Sequence, residues 1–236
     1  MTLILKFDPS PFEEFSSHIR NVGIVLEASK IGLKLLVDTR PVDQPHLIQD
    51  EVANDYPVIN AQLTVYLWSA LESATLSFLT SWVSTIPSAL DNDQIRKIKI
   101  SLAEYEMMVP EARWHYLIKQ LEDNLNAPFK QGVNRFESLL KVFGLDGAVD
   151  KDIKDTLFEL QQVRNVIVHQ RGIADHRFVE KCPQLGYEHG QEVRVTSEQV
   201  NHYVGAVVNY VHIVLTRVHE LLQADIKQGQ QQKGQQ

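Results

Sequence analysis

The chain has 236 residues, 44% hydrophobic and 22% charged, proportions that suit a globular protein with one large or two small cores. Its formal charge of −7 speaks against coating nucleic acid by broad phosphate neutralisation, although a small catalytic cleft escapes that argument. No run approaches the roughly 18 apolar residues of a membrane span, so no membrane partner is expected.

Helical periodicity begins at once. Ser10-Pro11-Phe12-Glu13 joins an N-cap serine, a first-turn proline and a capping-box glutamate. Phe15, Ile19, Val22 and Leu26 follow at helical spacing and predict a helix over residues 11–37. Residues 39–50, with Pro41 and Pro45, read as a loop. Asp55-Tyr56-Pro57 opens a long helix to Ile86, with Leu63, Leu67, Leu71, Ala74 and Phe78 on one stripe. Shorter helices are predicted over 94–107, from Pro110 onward, and over 131–143 with Gly144 as the stop. A sixth covers 150–170, before Gly172. Residues 173–195 are loop with a short strand at Glu192–Val195, and Thr196-Ser-Glu-Gln199 caps the last helix. Lys227–Gln236 holds only Lys, Gln and Gly and is expected to be a disordered tail. The fold class that follows is all-α, an antiparallel bundle of six to seven helices, read as one domain over residues 1–226. The N-terminus lacks a basic region and a small-residue cleavage site, and Cys182 is the only cysteine, which together suit a reducing, cytoplasmic setting.

Chemistry concentrates on the sixth helix. Ile153, Leu157, Leu160, Arg164 and Ile167 follow one stripe, so Arg164 stands where another apolar residue is expected and needs a carboxylate, carbonyls or a phosphate. Asn165 and His169 lie four apart on one face, with His169 roughly 140° round the helix from Arg164. The two converge only on a target at a seam, which a second copy of the helix supplies in a symmetric dimer. Charge also changes sign here, from the acidic stretch 146–160 to Arg164, Arg171, Arg177 and Lys181. An imidazole can take the proton of a ribose 2′-hydroxyl, and a guanidinium can hold the scissile phosphate, so these residue types suit RNA cleavage without a metal or other cofactor.

Arg164-Asn165-x-x-x-His169, followed by Gly172, a loop and a closing amphipathic helix, resembles the signature of the HEPN superfamily. In architecture the resemblance spans residues 55–222, but in specific sequence only about ten positions. It implies an α-helical bundle, often dimeric through the motif helix, with Arg164, Asn165 and His169 as catalytic residues of a metal-independent endoribonuclease. It also implies toxin–antitoxin or phage-defence settings, any antitoxin being a separate chain. Some members carry a tyrosine two residues after the histidine, where this chain has Arg171. Other members have lost cleavage and bind RNA or a partner protein, so that reading stays open, as does a helical scaffold bearing a coincidental motif. Glu72 is expected to support Arg164 by pairing with it, and Arg171 and Arg177 are candidate RNA contacts. His212 and His219 lack acidic or cysteine neighbours at ligand spacing, so no metal site is expected. Trp68, Trp82 and Trp114 suit a core better than a stacking platform.

Overall fold

Proline and side-chain acceptors set where the helices start. A computed structural model describes residues 10–39, 45–125 and 131–233. Among them run α1 (Ser10–Thr39), α2 (Pro45–Ala53), α3 (Pro57–Thr85), α4 (Asp93–Arg96) and α5 (Leu102–Met107), then α6 (Pro110–Asn124), α7 (Asn134–Val142), α8 (Lys151–His169), α9 (His176–Lys181) and α10 (Ser197–Lys233). The chain is an all-α helical bundle. Among the described residues no strand forms; a single antiparallel bridge joins Ile173 to Glu192 where a strand was expected.

Against seven predicted helices the described residues hold ten, the excess being α2, α9 and the division of the 94–107 helix into α4 and α5. Residues 39–50 are not all loop, because Pro45 begins α2. The helix expected over 94–107 is two, α4 capped by Asn92 accepting from Gln94 N–H at 2.8 Å and α5 capped by Ser101 accepting from Glu104 N–H. α10 continues through Lys233 into the segment expected to be disordered; Gln and Lys are good helix formers, and extending a packed helix needs no new nucleus. Residues 234–236 of that segment lie outside the described residues.

The chain divides into two compact units, each gathered from separate stretches. One contains Glu72–Lys154 and the chain from Asn209, together with the start of α1. Its buried residues include Phe78, Trp82, Ile118, Phe136, Leu140 and Val214. Glu137 of α7 accepts from the Tyr210 hydroxyl at 2.8 Å and from Arg217 at 3.0 Å.

The other unit contains Glu14–Leu71 and Asp155–Val208. Here α3 starts with help from α2: Glu51 Oε1 accepts from the backbone N–H of Val58 and of Ile59, both at 3.0 Å. Tyr203, Val207, Leu67, Leu157, Leu160 and Phe178 are buried. The α10 start forms the expected reciprocal cap, Thr196 N–H to Gln199 Oε1 at 2.9 Å and Gln199 N–H to Thr196 Oγ1 at 3.2 Å. Asp55 then receives both the Ser197 N–H (2.6 Å) and its hydroxyl (2.7 Å), across 142 residues of sequence.

Candidate functional site on α8

The buried face of α8 runs through Leu157, Leu160, Val163 and Val166. Arg164 stands on the flank of that face rather than at its centre, half-buried like Asn165 beside it. Its Nη1 donates to Asn165 Oδ1 at 3.2 Å, and its Nε is buried with no hydrogen-bond partner among the described residues. That unmet N–H withholds roughly 1–3 kcal/mol of hydrogen-bond energy. The guanidinium is thus aimed by Asn165 and still short of an acceptor.

His169 is the last residue of α8 and is exposed. Beyond it the chain turns sharply: Val166 C=O accepts from both Gln170 N–H (2.9 Å) and Gly172 N–H (3.1 Å), with Arg171 at φ 56° and Gly172 at φ 76°. Gly172 C=O then accepts from Val193 N–H at 2.7 Å, and Ala174 exchanges hydrogen bonds with Gln191 and Gly190. These bonds tie the end of the motif helix to the segment before α10.

Arg171 and Arg177 are both exposed. Arg177 rides on α9, whose N-cap Asp175 accepts from Phe178 N–H at 2.7 Å. Two features here were not legible beforehand. The rings of His176 and His189 stack with centroids 3.8 Å apart. Lys181 lies 5.9 Å over the Phe158 ring, and burial followed by the charge of Arg177 lowers its pKa. Cys182 is buried, and burial with the nearby Glu159 carboxylate pushes its thiol up to about 12, which makes it an inert thiol.

Compared with known protein families, curated proteins and solved structures, the chain matches none.

Glu72 was expected beside Arg164. Its Oε1 instead receives Arg135 Nη1 within the first unit, while the hydrogen bond that Arg164 makes is to Asn165. Arg135 lies 63 residues from Glu72 and offered no sequence signal for the pairing. The structure thus joins Arg164 to Asn165, leaves His169 free on the helix end, and occupies Glu72 elsewhere. Among the described residues no cluster of three or more metal-ligating side chains occurs, and no helix is long and apolar enough to cross a membrane.

Proposed function

We propose that the protein is a HEPN-type, metal-independent endoribonuclease that acts as a homodimer through α8. The observation that carries this reading is Arg164, whose guanidinium is oriented by Asn165 and retains a buried N–H without an acceptor. A phosphate oxygen supplies that acceptor and a charge to match. One copy offers Arg164 and His169 on different sides of a helix, so a complete site needs α8 of a second copy.

In the reaction, His169 accepts the proton of a ribose 2′-hydroxyl as the 2′-oxygen attacks the adjacent phosphorus. Arg164 offsets the charge that grows on the phosphoryl oxygens. The bond from phosphorus to the 5′-oxygen breaks, and that oxygen takes a proton from His169 of the second copy. The products are a 2′,3′-cyclic phosphate and a 5′-hydroxyl. A role in toxin–antitoxin or phage-defence systems, with a separate antitoxin, fits such an activity, as does a cytoplasmic location.

The test is incubation of the full chain with end-labelled RNA in EDTA, beside Arg164→Ala and His169→Ala. Cleavage by the wild type alone, leaving cyclic phosphate ends, supports the proposal. RNA left intact at high protein concentration refutes it, and a gel shift of intact RNA selects the non-catalytic RNA-binding reading instead.

A further inference from the structure

Among the described residues, three other than glycine take positive φ: Asp55 (61°), Tyr56 (56°) and Arg171 (56°). Side chains rarely adopt that conformation, and it persists where the surroundings impose it, often at ligand sites. A cleft of about 890 Å³ in the second unit has one of the three in its lining, and the other two adjoin lining residues in the sequence. Arg171 lines it directly, and Asn54 and Pro57 line it on either side of the Asp55–Tyr56 turn. The volume lies at the upper end of the roughly 300–1,000 Å³ of ligand pockets.

The walls are aliphatic: Leu47 of α2, Val58 and Val65 of α3, Ile167 of α8, and Val193. Leu47 is 57% exposed and Val58 58%, so large apolar side chains face water there. Of the charged groups, Glu192 neutralises Arg194 at 2.8 Å, and Glu51 is taken up by the α3 backbone. Among the described residues, Asp50, Arg171 and the Gln62 amide line the cleft with no side-chain hydrogen bond or ion pair. Ile167 lies roughly 160° round α8 from both Asn165 and His169, so the cleft opens on another side of the helix from that pair.

A polyanion is a poor occupant. Arg171 and Arg194 face Asp50, Glu51 and Glu192, a lining one charge negative, and no aromatic side chain is present for base stacking. An extended peptide matches better: aliphatic side chains meet the walls, a main-chain amide meets Gln62, and opposite charges meet Asp50 and Arg171. We propose that this cleft docks a short extended segment of a partner protein, with an aliphatic centre, a basic residue for Asp50 and an acidic residue or C-terminal carboxylate for Arg171. It does not rest on the ribonuclease reading.

The probes are fluorescein-labelled heptapeptides with Leu/Val centres and ends of Lys/Glu, Glu/Lys or Ala/Ala, titrated by anisotropy against the full chain. One charged order should bind at least roughly tenfold more tightly than the Ala-ended peptide. The charge-reversed protein, Asp50→Lys with Arg171→Glu, should then prefer the opposite order, and Val58→Glu should weaken every peptide roughly tenfold or more. If the charge-reversed protein does not fold by circular dichroism, Val58→Glu and the order preference of the wild type still decide. Equal binding of all three peptides, or an order preference unchanged by charge reversal, overturns the proposal. Displacement of the peptide by labelled oligouridylate, itself sensitive to Val58→Glu, overturns it in favour of nucleic acid.

Discussion

Arg135→Met tests the ionic cluster that claims Glu72. Arg135 Nε lies 2.7 Å and its Nη2 2.6 Å from Glu122 Oε1, its Nη1 pairs with Glu72, and Lys119 Nζ lies 2.7 Å from Glu122 Oε2. The Glu122 side chain is 5% exposed and that of Arg135 22%. Methionine keeps the aliphatic stem but removes the fork, leaving a buried carboxylate to one lysine. Breaking a fully buried pair costs about 3–5 kcal/mol. The partial exposure of Arg135 and the surviving lysine bond reduce that to roughly 2–3 kcal/mol. At about 2–4 °C per kcal/mol for a chain of this size, the thermal midpoint at pH 7 should fall by roughly 5–10 °C.

The pH dependence follows from Glu122. Burial raises its pKa, but the Lys119 hydrogen bond and the Arg135 charge and hydrogen bond outweigh burial and hold it below the ordinary 4.5. A carboxyl depressed in the folded state contributes stability above its unfolded value, lost as pH falls through the folded one. Wild type should therefore lose part of its midpoint below pH 4.5, and Arg135→Met should lose less over the same range. Adding Glu122→Gln to Arg135→Met should restore several degrees by removing the stranded charge. Thermal unfolding by circular dichroism from pH 7 to pH 3 measures all three proteins. A drop under about 2 °C for Arg135→Met, or a further loss on adding Glu122→Gln, refutes the reasoning.

Asp55→Ala removes the acceptor of Ser197 N–H and hydroxyl and leaves a side chain at positive φ; it should cost about 2 kcal/mol in urea unfolding, and Asp55→Asn about half that. His169→Ala should change stability by less than about 0.5 kcal/mol, the residue being exposed. In the RNA assay the same variant should reduce cleavage roughly 10²- to 10⁴-fold. Cys182 should resist iodoacetamide at pH 8 in the folded protein and label on addition of urea, as mass spectrometry will register.

Local chemistry was legible in the sequence where one short stretch settles it. Thr196 and Gln199 form the reciprocal cap that their spacing implies, and Pro57 and Pro110 both open helices. Distant partnerships were not. Nothing near Glu72 points to Arg135, and nothing near Asp55 points to Ser197. Arg164 fell on the flank because Val163 and Val166, not Ile153 and Ile167, complete the buried face. The aliphatic cleft draws on α2, α3, the end of α8 and the segment before α10, so no single window contains it. The two compact units leave no mark in the sequence, since each is sequence-discontinuous and no linker lies between them.

The Asp55–Ser197 clamp bears on the order in which the protein can assemble. Asn60 donates to Val195 C=O at 3.0 Å in the same knot, so the Asp55–Tyr56 turn, held locally by Glu51 C=O and the Asn60 amide, is completed by residues made some 140 positions later. Chains emerge from the ribosome at roughly 5–20 residues per second, so the first helices wait several seconds or more for the partners that complete their unit. Nascent α3, with Leu67, Trp68 and Leu71 destined for burial, spends that interval with apolar surface uncovered. Synthesis halted before residue 195 should therefore yield an aggregation-prone fragment rather than a smaller folded protein.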